Sequence, residues 1–180
     1  MTEPLQFTRW QVVTGPPCSG KTTVINALAE QGYETVDEVA RARIKRLLAA
    51  NISLDEIRED GLVLQRDILA AKLERERGLD REKLIFFDRG VPDSVAYYRY
   101  YGLDPREAIE QASHNRYQHI FFLEGLPIVH DDVRNEDADA ARQIGELIYQ
   151  AYGEIGYMVT RVPAVSVEER VEFILQNVAS

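Results

Sequence analysis

The sequence predicts an α/β protein: a parallel sheet covered by helices, with a ligand crevice at the carboxyl ends of its strands. Three observations carry that expectation. Short apolar stretches alternate with helical patterns along the chain. Two of them, Leu84-Ile85-Phe86-Phe87 and His119-Ile120-Phe121-Phe122-Leu123, are almost wholly apolar, as strands buried on both faces should be. The first strand runs straight into Gly15-Pro16-Pro17-Cys18-Ser19-Gly20-Lys21-Thr22, which spells G-x-x-x-x-G-K-[ST], with Thr23 next and a helical pattern after it. That motif requires a strand–loop–helix order, and the flanks supply it.

The elements follow in order. A strand over about Trp10–Thr14 leads through the loop to a helix from Lys21 to about Gln31, where Gly32 stops it. Tyr33–Val36 is a short second strand, and helical residues run from Glu38 to about Ala50. A longer helix, from about Leu54 to Arg77, puts Ile57, Leu64, Ile68 and Leu73 near one face; Ser53 and Glu56 resemble its capping box, and Gly78 closes it. The third strand, Leu84–Phe87, ends at Asp88. Pro92 opens a helix that carries Tyr97, Tyr98, Tyr100 and Tyr101, and a short helix opens at Pro105. After the fourth strand comes a turn-rich acidic stretch, with an exposed loop or lid at about 125–140. A helix from about Ala140 to Tyr152 leads through Gly156 to a last strand at Tyr157–Arg161. Pro163 breaks that strand, and Ser166 with Glu169 caps the final helix. Five strands with crossover helices predict one doubly wound domain over residues 1–180.

A chain of 180 residues, 45 % hydrophobic and 28 % charged, is the size and composition of one soluble domain with a substantial core. A net charge of −9 argues against a nucleic-acid partner, because no basic surplus exists to displace phosphate counterions. One cysteine excludes an internal disulfide and fits a reducing cytoplasm. Met1-Thr2-Glu3-Pro4 has neither half of a signal peptide, and no apolar run reaches a membrane span. The expected setting is cytoplasmic; oligomeric state is not legible.

The loop's glycines let backbone N–H groups converge into an anion nest at a helix N-terminus. Lys21 then reaches the β- and γ-phosphates of a nucleoside triphosphate, and the Thr22 hydroxyl ligates Mg²⁺. Gly15 to Thr23 are thus the expected nucleotide-binding residues. Acidic residues end three strands: Asp37-Glu38, Asp88 and Glu124. Phosphoryl transfer needs a carboxylate on the metal side and often one to orient the acceptor hydroxyl. Asp88 suits the first role, and Asp37 or Glu38 the second; the alternative is that such residues only cap the next helix. Arg89 and Arg41 follow these acids and can meet a phosphoryl group or pair with a neighbour. Arg134 and Arg142 flank the acidic loop, either as lid cations or as partners of Asp131, Asp132, Glu136 and Asp139. The tyrosines after Asp93 can stack on a base or fill the core. His114, His119 and His130 lack metal-ligand spacing. Cys18 reads as a small packing residue, in a place where thiol oxidation would block nucleotide.

These motifs together resemble a family: small ATPases with a single AAA-type P-loop domain, to which the ribosylnicotinamide kinase domains of bacterial NAD regulators are related. The resemblance rests on the loop and on Glu38-Val39-Ala40-Arg41. It extends to Phe87-Asp88-Arg89-Gly90 with Asp93 and Tyr97, to Asp131-Asp132-Val133-Arg134, and to Gly156-Tyr157 through Val162-Pro163 to the Ser166–Val171 segment. It implies a three-layer αβα architecture like that of nucleoside and nucleotide kinases, with strand order 2-3-1-4-5. It further implies that Glu38 (or Asp37) serves the acceptor, with Arg41, Asp93 and Tyr97 beside it. Asp88 and Arg89 would lie between metal and substrate, Arg134 would reach the phosphates from the lid, and Pro163 would approach the adenine. Glu124-Gly125 departs from the more neutral residues expected at that point.

The expected activity is an ATP- and Mg²⁺-dependent kinase that phosphorylates a hydroxyl of a nucleoside-like or other small polar acceptor. The alternative is a nucleotide-dependent switch with slow hydrolysis; a ring-forming motor is weaker, lacking an extra helical domain. No Asn-Lys-x-Asp guanine motif is present, which mildly favours ATP over GTP. A kinase predicts a pocket bounded by Glu38, Asp88 and Tyr97, whereas a switch leaves that space filled or open. A Glu38 turned away and locked onto Arg41 would count against the kinase.

Overall fold

The computed structural model describes residues 6–50, 61–125 and 135–179. The central strand, β2 (Trp10–Thr14), has all five residues buried, so it can only sit in the middle of a covered sheet. Around it lie β3 (Glu34–Val36), β4 (Ile85–Asp88), β6 (His119–Leu123) and β7 (Val159–Val162), all parallel, in the order β3-β4-β2-β6-β7. In terms of these five strands that is 2-3-1-4-5. Two further short strands, β1 (Gln6–Phe7) and β5 (Asn115–Arg116), pair with each other. The helices are α1 (Lys21–Glu30), α2 (Val39–Ala49), α3 (Gly61–Arg77), α4 (Pro92–Tyr100), α5 (Arg106–Ala112), α6 (Asn135–Glu154) and α7 (Val167–Val178).

Alternation along the strands builds two cores. Trp10, Val12, Ile85, Phe87, Ile120 and Phe122 pack on one face with α4 and α6. Val13, Phe86, Phe121, Leu123 and Val162 pack on the other with Val24, Ile25 and Leu28 of α1 and Val171 and Ile174 of α7. The result is an α/β P-loop NTPase fold of three layers.

Several boundaries move. The last strand is shifted to Val159–Val162. α6 starts at Asn135, so the expected lid is helical from there on, while its centre, with Arg134, lies outside the described residues. Ser53, Glu56 and Ile57 also lie outside them. Within α3 the buried stripe is Gln65, Ile68, Leu69, Lys72 and Glu76; of the expected face Ile68 is buried, while Leu64 and Leu73 are half-buried. The Ser166–Glu169 capping box is present in both directions.

Candidate active site

Parallel pairing of β4 with β2 sets Val13 opposite Asp88, so the carboxylate emerges beside the phosphate loop. There Thr22 Oγ1 donates to Asp88 Oδ2 at 2.9 Å. Asp88 Oδ1 is buried and has no hydrogen-bond partner. Burial, and then the Glu38 charge, push the Asp88 carboxyl above its ordinary range. An orphaned buried carboxylate oxygen next to a threonine hydroxyl is a donor set suited to a hard cation. No group of three His, Cys, Asp or Glu among the described residues could cage a metal. A Mg²⁺ ion here would therefore share its shell with phosphates and water.

The loop itself is closely packed. A Cβ on Gly15 would come within 2.5 Å of the Leu123 carbonyl, and its φ is +140°, so only glycine fits. Gly20 takes φ +86° at the start of α1. Lys21 is 6 % exposed; its Nζ donates to the Pro16 carbonyl at 2.6 Å and to Ser19 Oγ at 3.2 Å. Burial, and then Arg89, lower its pKa to about 7. Cys18, expected to pack, is instead exposed, with φ +60°. A tight loop that turns its backbone inward leaves no room for that side chain.

Arg89 occupies the centre of the site. Its φ of +70° is unusual for a non-glycine residue. The backbone N–H donates to the Val13 carbonyl at 3.1 Å, so the strained turn is anchored to β2. Its guanidinium reaches Gly15 O at 3.3 Å, Asp93 Oδ1 at 2.9 Å and Glu38 Oε1 at 3.1 Å. The ring of Tyr97 lies 5.5 Å from it. Burial works against this charge, yet Tyr97, Asp93 and Glu38 hold it more firmly protonated than a free arginine.

The residues expected on the acceptor side separate. Glu38 faces a cavity of about 310 Å³ between α2, α3 and α4, lined also by Arg41, Gln65, Lys72, Arg89 and Tyr97. One of its oxygens meets Arg89 and the other meets Arg41 at 3.6 Å. Asp37 is exposed, and its carbonyl takes a hydrogen bond from Arg75. Asp93 is corrected from substrate residue to buried anchor. It accepts from Thr14 Oγ1 at 2.7 Å, the Tyr152 hydroxyl at 2.6 Å, Gly90 N and Arg89, and it does not line the cavity. Burial alone would raise its pKa, but Arg89 and Lys72 pull it below the carboxylate norm. Tyr98 is core. Glu124 pairs with Arg161 at the surface, and Arg142 with Asp139.

Three polar residues gain importance only here. Lys72 is buried, donating to Gly90 O at 2.9 Å and Ser94 Oγ at 3.2 Å, and burial lowers its pKa. Gln65 lies about two turns of α3 before it, also buried in the cavity wall. Arg170, 2 % exposed, donates to Ser19 O of the loop at 2.6 Å, to Glu124 O and, through Nε, to Pro163 O, both at 3.0 Å. One side chain thus ties the phosphate loop to the ends of β6 and β7. Polar residues at core spacing on α3 were the available signal for Lys72 and Gln65.

A family model described as an AAA domain matches residues 10–170. The chain belongs to that family. Nucleotide-binding proteins of Cereibacter sphaeroides are 46 % identical over 48 residues, which is 27 % of this chain and 16 % of theirs. Among solved structures, a thymidylate kinase from Ehrlichia chaffeensis superposes with a TM-score of 0.66 at 15 % identity, covering 97 % of this chain and 99 % of that one. A deoxyadenosine kinase from M. mycoides, with dCMP and dCDP bound, gives 0.65 at 13 % identity over 94 % and 98 %. A NadR protein in complex with NAD and AMP-PNP gives 0.64 at 18 % identity, over 97 % of this chain and 50 % of its own. The fold is thus that of small P-loop kinases. No helix among the described residues is long and apolar enough to cross a membrane.

Proposed function

We propose that this chain is a kinase that moves the γ-phosphoryl of ATP to a hydroxyl of a nucleoside-like or other small polar acceptor. The observation that carries the reading is the cavity at Glu38 and Arg89, whose guanidinium also reaches Gly15 of the phosphate loop. It is bounded by Glu38, Arg89 and Tyr97 and is roomy enough for a small molecule; Asp88, the third residue expected in its wall, does not line it. A switch protein is expected to leave that space filled or open to solvent.

In this reading Lys21 exchanges the Pro16 carbonyl and Ser19 hydroxyl for the β- and γ-phosphates. Thr22 and Asp88 would hold Mg²⁺, which neutralises phosphate charge when bound. The acceptor oxygen attacks phosphorus as the bond to the ADP leaving oxygen breaks, and Glu38 takes the hydroxyl proton late in transfer. Each Glu38 oxygen has one cationic partner, which orients the carboxylate and leaves lone pairs for a hydroxyl. Arg89, fixed by Asp93, stabilises charge on the migrating group. Pro163 and its neighbours would border the adenine, and the lid with Arg134 would exclude water.

A thermal-shift screen of nucleotides, followed by nucleosides, vitamins and aminoglycoside-like alcohols, tests this, because ligands that bind the native state raise its melting temperature. Hits then enter an ADP-release assay. Acceptor-dependent ADP formation is the expected result. Tight nucleotide binding with turnover that no acceptor accelerates would favour the switch.

A further inference from the structure

The cavity between α2, α3 and α4 carries a charge imbalance. Its wall contains four cationic side chains, Arg41, Lys45, Lys72 and Arg89, and a single carboxylate, Glu38. Asp93, outside the wall, is an ion-pair partner of Arg89 at 2.9 Å. Glu76, the next acid along α3, accepts the Tyr117 hydroxyl and also bears on Lys72, so four cations face three acids and one positive charge is in surplus, in a chain whose net charge is −9.

Lys72 is the telling member. It is 7 % exposed, and its two hydrogen-bond partners, Gly90 O and Ser94 Oγ, are both neutral. An ammonium has three N–H donors, so one remains for a ligand in the cavity that Lys72 lines. Burial opposes the Lys72 charge, and Asp93, Glu38 and Glu76 favour it without being among its hydrogen-bond partners, so an anion in the cavity would supply the directly bonded counter-ion that the ammonium lacks. Lys45 and Arg41 stand exposed on α2; Lys45 has no ion pair among the described residues, and Arg41 has only the 3.6 Å contact with Glu38. A neutral acceptor leaves this surplus uncompensated, and a cationic one adds to it.

We propose that the acceptor is an anion, a small molecule that already bears a phosphate or carboxylate group seated on Lys72, with Lys45 and Arg41 drawing it in. Glu38 and Arg89 then remain for the group that receives the phosphoryl. The proposal rests on the kinase reading for its use of the cavity, but its test does not depend on turnover.

The protein is saturated with Mg-ADP, so that the phosphate loop is filled. Matched pairs are then titrated calorimetrically: nucleosides against their 5′-monophosphates and sugars against sugar acids, with inorganic phosphate as the minimal anion. The pairs separate phosphate from carboxylate as the recognised group. At least one anionic member should bind about tenfold or more tighter than its neutral partner, as a charge-assisted contact gives. The advantage should shrink with added salt. Lys72→Met should reduce it to about threefold or less, and the exposed Lys45→Glu should weaken the anion while leaving the neutral partner unchanged. Neutral members binding as tightly as anionic ones overturns the proposal. So does a preference untouched in Lys45→Glu and in a folded Lys72→Met, or a panel in which no anion, inorganic phosphate included, binds the loaded protein. Anion binding without phosphoryl transfer from ATP would fail the kinase reading and leave the anion subsite standing.

Discussion

Lys21 titrates near pH 7 in the nucleotide-free protein because burial, and then Arg89, disfavour its charge. Phosphate oxygens beside the ammonium favour that charge, so bound nucleotide should return its pKa towards the ordinary 10.5. Nucleotide binding should therefore take up a proton. At pH 8, about one unit above the free value, roughly nine in ten of these lysines are neutral, and close to 0.9 proton enters with each nucleotide. Affinity should then fall about tenfold per pH unit above 8, or ~30-fold by pH 9.5. Calorimetric titration of Mg-ADP in buffers of different ionisation enthalpy reads the proton number directly. Lys21→Arg, charged throughout, should bind with a flat profile over the same range. The same shift acts on stability. Between pH 7 and 10.5 the unfolded chain holds more protons on Lys21 than the folded one. The nucleotide-free protein should thus gain stability as pH rises, by a few kcal/mol at most, and the gain should vanish in Lys21→Met. Proton uptake near zero at pH 8, with affinity constant to pH 9.5, would refute the burial argument.

Three further outcomes are expected. Asp88→Asn should raise the melting temperature of the nucleotide-free protein, because burial, and then Glu38, disfavour the ionised carboxylate. That penalty disappears in wild type as pH falls through the raised pKa. The same variant should cut kcat about a hundredfold or more while changing nucleotide Kd about tenfold at most; a less stable variant with intact turnover would make Asp88 a purely structural residue. Glu38→Gln should leave ATP affinity nearly unchanged and slow transfer to the acceptor by roughly 10²–10⁴-fold, and single-turnover transfer at the wild-type rate would remove it from the acid–base role. Arg170→Met should leave the buried Ser19 carbonyl and two part-buried ones, of Glu124 and Pro163, without their donor, at about 1–3 kcal/mol, or ~2–12 °C in melting temperature, and weaken Mg-ATP about tenfold. Melting and calorimetry check both, and unchanged nucleotide affinity would sever the link to the loop.

Motifs whose meaning is local were readable from the chain. A G-x-x-x-x-G-K-T run forces its own backbone geometry, so Gly15, Gly20, Lys21 and Thr22 needed nothing distant to be recognised. Asp88 and Glu38 were legible for a related reason: they end strands, and parallel strands deliver their carboxyl ends to one crevice. Residues whose partners lie far off in the chain were not legible. Asp93, set beside the acceptor by the resemblance, is closed in by Thr14 and Tyr152, 79 and 59 residues away. Cys18 was expected inside because cysteine packs well, but the loop's inward-facing backbone turns it out.

By itself, then, the sequence determined the layered α/β fold, the strand order through its resemblance, and the phosphate end of the site, because hydrophobic periodicity and loop stereochemistry act over a few residues. Tertiary structure alone decided which charges meet. Lys72 on α3 becomes a cavity cation only because the chain folds it against Gly90 and Ser94 of another segment. Arg170 becomes the brace of the phosphate loop only because α7 packs beside α1, bringing it to Ser19 across 151 residues. Burial, which sets the pKa of Lys21 and the balance of charge in the cavity between α2, α3 and α4, is a property of the packed protein and is written at no single position of the chain.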